Sequence, residues 1–184
     1  MRKFLALAAS LLAIAFMVSQ SQATPKYIGA AKCKVCHTSE KSGKAYPIWG
    51  KSAHAKAYET LATPEAAAVA KKSGIDDPQK SDQCLGCHVT AFNMAKAQKD
   101  TTLTMAEGVS CEACHGPGSD YKAMSIMKDR AKAVSAGLVI PSEKNCLGCH
   151  NEKSPTYKPF KFAEMAKLIA HPIPKATAPA DKKG

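Results

Sequence analysis

Apolar positions gather at the start of the chain and recur in short helical periods after it. The opening MRKFLALAASLLAIAFMVSQSQA, residues 1–23, sets Arg2 and Lys3 before an apolar run, with the small residues Ser21 and Ala23 behind it. That layout predicts a secretory signal peptide cleaved after Ala23. The run is too short and too early for a stable membrane span, which needs about 20 apolar residues; an uncleaved N-terminal anchor is the alternative. No later stretch is apolar enough to cross a bilayer. Beyond the leader, apolar spacing near 3.6 predicts four helices. YPIWGKSAHAKAYETL gives one over about 47–61, opened by Pro47. TPEAAAVAKK gives one at 63–72, with Thr63 as N-cap, Pro64 at the first position and Gly74 after it. A third lies near 119–135, between Gly-Pro-Gly and Gly137, and FKFAEMAKLIAH, 160–171, is a fourth stopped by Pro172. No stretch alternates as a half-buried strand does. Residues 24–184 therefore read as one mainly α domain of short helices and loops, with a Pro-, Ala- and Lys-rich tail from about 173 that reads as disordered.

Composition adds a difficulty. The chain is 45% apolar, but much of that is alanine, and it holds one Trp, five Phe and five Tyr. Such side chains bury too little area to make an ordinary core, so something else must fill the centre. The net charge of +11 falls to about +9 once Arg2 and Lys3 leave with the leader. A basic exported chain suits nucleic acid, an anionic membrane or an acidic protein. Scattered lysines and few aromatics exclude nucleic acid.

The cysteines supply the missing core. All eight fall in four copies of one pattern: CKVCH (Cys33, Cys36, His37), CLGCH (Cys84, Cys87, His88), CEACH (Cys111, Cys114, His115) and CLGCH (Cys146, Cys149, His150). Two thiols add to the two vinyl groups on one porphyrin edge. The two intervening residues let the chain arch between them, and the histidine turns under the ring to ligate the iron. Zinc sites and disulfide scaffolds also use paired cysteines, but neither explains a histidine after every second one. The pattern therefore predicts four covalently attached haem c groups, roughly forty residues apiece. Closely packed haem faces then form the core, and their propionates offset much of the positive charge.

Four of the six histidines are committed to these motifs, leaving His54 and His171 as candidate distal ligands. At most two haems are bis-histidine from within this chain. The others take methionine sulfur or stay five-coordinate, open to a small ligand such as NO. Met94, Met105, Met124, Met127 and Met165 are available; Met124 and Met127 lie three apart on one predicted helix. Methionines also fill irregular gaps in a core without ligating anything.

SAHAKA after the first motif, CLGCHV at the second, GVSCEACHGPG at the third and FKFAEM after the fourth carry a likeness beyond the haem motif. With them the chain resembles the tetrahaem cytochromes c that accept electrons from hydroxylamine oxidoreductase in nitrifying bacteria, within a wider periplasmic multihaem family. The resemblance runs through most of residues 24–184. It implies a mainly helical fold, stacked haem pairs and electron transfer. It also implies that His54 is the distal ligand of the third haem, on His115, and that the haem on His88 is five-coordinate. The chain departs from the family at two places. The family's histidine after GPG is replaced in SDYKAMSIMKDR, with Ser125 near the expected position and Met124 and Met127 beside it. Its histidine before the fourth motif is absent from GLVIPSEKNC, where Pro141 stands close to that place. His171 is a candidate replacement for one, and Met124 or Met127 for the haem on His37.

The expected function is periplasmic electron transfer between redox partner proteins, with lysines steering docking to an acidic face. Three alternatives use the missing histidines. An open iron would suit an NO-type reductase, with Tyr121 or Lys122 as candidate proton donors, or a ligand sensor. A ligand from a neighbouring copy would suit a subunit of an extracellular haem wire. Oligomeric state, partner identity and potentials are not encoded in any motif.

Overall fold

The computed structural model describes residues 23–173, so the expected leader and the tail beyond 173 lie outside the described residues, apart from Ala23 and Ile173. Ten short helices follow one another among them: α1 (Ala30–Lys34), α2 (Ala45–Gly50), α3 (Ala57–Thr60), α4 (Pro64–Lys72), α5 (Asp82–His88), α6 (Cys111–His115), α7 (Met124–Met127), α8 (Arg130–Ser135), α9 (Glu143–Leu147) and α10 (Phe162–Ile169). The only strand-like pairing described is one bridge, Tyr27 to Lys99. The expected mainly helical class therefore holds. No described helix is long and apolar enough to cross a membrane.

The predicted helix at 63–72 forms at Pro64–Lys72, and Thr63 caps it by accepting the Ala66 N–H at 3.2 Å. The helix at 160–171 forms as Phe162–Ile169. Two others are broken. The stretch 47–61 splits into α2 and α3, because Ser52 turns the chain: its hydroxyl donates to the Trp49 carbonyl at 2.7 Å and accepts from the Ala55 N–H at 3.4 Å. The stretch 119–135 splits into α7 and α8, because Asp129 starts a new helix by accepting the Lys132 N–H at 3.1 Å. Side-chain oxygens that bond local backbone compete with helix continuation in this way.

The polypeptide core is thin. Eight apolar residues are buried among those described, three of them alanines. The main cluster is Leu61, Leu85 and Val89, with Tyr58, Cys84 and Phe92 against it. Backbone and carboxylate hydrogen bonds do much of the remaining work of joining loops. Residues 26–30 are held by Ser119, Glu107, Glu112 and Thr102.

Candidate haem-attachment sites

The four motifs begin on helices or close to them. Two are helical throughout, in α5 and α6; the first runs off the end of α1 and the fourth off the end of α9. A helical turn puts both cysteines of a CxxC on one face with the histidine beside them. The fourth motif is started by Ser142, whose N–H and hydroxyl both donate to Asn145 Oδ1 at 2.9 and 2.8 Å.

Two of the motif histidines are fixed by backbone carbonyls. His88 Nδ1 lies 2.8 Å from the Ala57 carbonyl, and His115 Nδ1 lies 3.0 Å from the Val139 carbonyl. A carbonyl only accepts, so Nδ1 carries the proton and Nε2 keeps its lone pair for a metal. Burial pushes the pKa of His37 and His115 down, which also favours the neutral, ligating form; charge from His171 adds to both shifts.

The two spare histidines each face a motif histidine. The His54 and His150 rings have centroids 5.9 Å apart, and His115 and His171 have centroids 6.0 Å apart. Two metal–imidazole bonds of about 2 Å, each with about 1 Å more to the ring centre, give about 6 Å. The two centroid separations are of that size, so His54 with His150, and His171 with His115, are the residues that could each hold one iron between them. The resemblance implied His115 as the partner of His54; the His54 ring lies instead beside that of His150. Phe160 also stacks on His150, with ring centroids 4.8 Å apart.

The position of His54 is built by Gly108-Val109-Ser110, immediately before the third motif. The Val109 N–H donates to the His54 carbonyl at 2.9 Å, and the Trp49 indole N–H donates to the Val109 carbonyl at 2.8 Å. Gly108 has φ +61°, and a Cβ there would fall 2.7 Å from the His54 carbonyl oxygen. His171 is seated by another glycine: Gly43, at φ +77°, lets the Pro172 carbonyl lie where a Cβ would stand. Met124 is 60% exposed, and α7 packs chiefly on α8; the candidacy of Met124 and Met127 rests on sequence position alone.

The cysteines form no disulfides, and no three His, Cys, Asp or Glu side chains among the described residues converge as a zinc site requires. They instead line up motif to motif. Contact with Cys111 lowers the Cys33 pKa, and Cys33 together with burial drives Cys111 far up. Burial and then Cys146 raise Cys114. Cys149 is pushed up to about 12 by burial and then by Cys87, with Cys114 also acting on it. Cys33 and Cys111, Cys114 and Cys146, and Cys149 and Cys87 are therefore neighbours across motifs. Sequence reasoning missed the residues that arrange this: Gly108, Gly43 and Glu112. The clue was a carboxylate between the cysteines of CEACH and a glycine just before it.

Four CxxCH motifs on short helices, with oriented imidazoles and two imidazole pairs at iron-spanning distance, define a multihaem c-type cytochrome. The sequence pattern described as cytochrome c554 and c-prime matches residues 32–116. The chain is 31% identical over 178 residues to cytochrome c-554 of Nitrosomonas europaea, covering 77% of this chain and 72% of that one. No solved structure matches it. The chain belongs to the cytochrome c554 family.

Proposed function

We propose that the protein is a tetrahaem electron carrier of the periplasm, exported by residues 1–23. Bound haem supplies a one-electron iron couple, and the polypeptide supplies everything else. Cys33 and Cys36, Cys84 and Cys87, Cys111 and Cys114, and Cys146 and Cys149 would each tether one macrocycle. His37, His88, His115 and His150 would be the proximal ligands. His54 completes the site on His150, and His171 the site on His115. The observation that carries this reading is the pair of 5.9 and 6.0 Å imidazole separations, each joining a motif histidine to a spare one. The succession of adjoining motifs supports a continuous electron path. Exposed lysines such as Lys32, Lys34 and Lys51 favour an acidic redox partner.

The test is haem content with reversible redox cycling. Pyridine haemochrome should give four haems per chain, all reduced and reoxidised by small electron-transfer reagents without loss. Fewer than four haems would overturn the assignment.

A second reading concerns the haem on His88. Two histidine ring pairs stand among the described residues, His54 with His150 and His115 with His171, and His88 is in neither, while its ring is already oriented by Ala57. An open site there would bind NO, as a reductase or sensor requires. The haem on His37 either shares that property or takes Met124 or Met127. Titrating the reduced holoprotein with NO decides it: an optical change in one or two haems supports open iron, and no change supports methionine ligation.

A further inference from the structure

Glu112 is the most unusual ionisable group in the molecule. It occupies the position after the first cysteine of CEACH, where the other motifs have Lys34, Leu85 and Leu147. It is 1% exposed. Its Oε1 accepts the N–H of Ile28 at 2.9 Å and of Gly118 at 2.7 Å; Oε2 accepts the N–H of Ile28 at 2.9 Å and of Gly29 at 2.7 Å. All of these bonds are accepted ones, the pattern a carboxylate satisfies. None of the described ion pairs includes it, so no cation cancels it.

Its location links two attachment sites. Cys111 is its covalent neighbour. Gly29, which donates to it, has its carbonyl oxygen 3.9 Å from the Cys33 Sγ. Glu112 thus lies within one or two links of the sulfurs that would tether the haems of the first and third motifs. Its field is felt locally: Tyr27 and Tyr121 hydroxyls are pushed up by burial and then by Glu112.

We infer that Glu112 is a built-in negative charge that lowers the reduction potentials of the haems on His37 and His115. Ferric haem carries one more positive charge than ferrous haem. A buried anion near the porphyrin edge therefore favours the ferric form, and low dielectric and poor screening make its reach long. The haems on His88 and His150 hang from motifs with leucine at the equivalent position and feel it less. Reduction here is one electron from donor to iron, with no bond made or broken. Glu112 also ties residues 28–29 and 118 to the third motif, so its charge and its stapling must be separated by experiment.

This inference rests on the haem assignment, so the experiment starts with haem content. Wild-type holoprotein and Glu112→Gln, each verified to carry four haems, are titrated potentiometrically with dithionite and mediators under optical and EPR detection. Two of the four midpoints should rise, each by about a tenfold change in the reduction equilibrium, about 59 mV for one electron. The other two should stay. Four haems with unmoved midpoints, or all four midpoints shifting together, overturn the inference and leave the haem reading intact. If Glu112→Gln does not mature, Glu112→Asp replaces it, keeping the charge while shortening the link to Ile28, Gly29 and Gly118. All four midpoints should then stay where they are in wild type, and a rise in the same two would make the link rather than the charge responsible and overturn the inference.

Discussion

Gly108 shows how backbone alone can place a candidate ligand, His54. Its φ of +61° brings the backbone of 108–110 against His54, and a side chain would collide with the His54 carbonyl. Gly108→Ala should cost about 1–3 kcal/mol. It should also disturb the low-spin signal of one haem, seen by thermal melts and EPR of the same sample. An undisturbed spectrum would mean that His54 is positioned by something else. The histidines make a sharper pair of predictions. His54→Ala and His171→Ala should each keep four haems attached and each convert a different low-spin haem to high spin, read by EPR. The motif residues were legible in the sequence because thioether attachment demands a fixed spacing. The partner of His54 was not, because a distal ligand arrives by tertiary contact: the 54–57 segment meets His150 through His54 and His88 through Ala57.

Among the elements, helix ends were more legible than helix continuity. Thr63 and Pro64 announce α4 in the sequence, and the structure uses both. Thr63→Ala should cost about 1 kcal/mol by leaving the Ala66 N–H unpaired. Because α4 carries no motif residue, haem spectra should not change; a melt beside an optical spectrum checks both. Apolar periodicity ran past real breaks at Ser52 and Asp129, since a hydroxyl or carboxylate that captures local backbone leaves the apolar pattern intact. The helical character of the motifs themselves also escaped the period, since two of them are only the five and seven residues of α6 and α5. The third and first motifs are joined through Glu112, whose side chain reads in sequence as an ordinary surface residue and is nearly inaccessible in the fold.

For the whole molecule, the thin polypeptide core follows from the composition: few large apolar side chains leave few to bury. The approach of cysteines from different motifs, Cys33 to Cys111 and Cys149 to Cys87 among them, was invisible in the sequence because it depends on how loops fold back. The positive surface should show in kinetics. Oxidation of the reduced protein by anionic ferricyanide should slow as ionic strength rises, because salt screens attraction to lysine-rich surface. A rate that climbs with salt would mean that the exposed haem edges lie on acidic surface. Six histidines serving four haems as two cross-pairs, His54 with His150 and His171 with His115, would leave a definite spectroscopic signature. The EPR spectrum of the oxidised holoprotein, quantified against its haem content, should show four haems, of which two give bis-imidazole low-spin signals and two do not. Four bis-imidazole signals, or none, would contradict it.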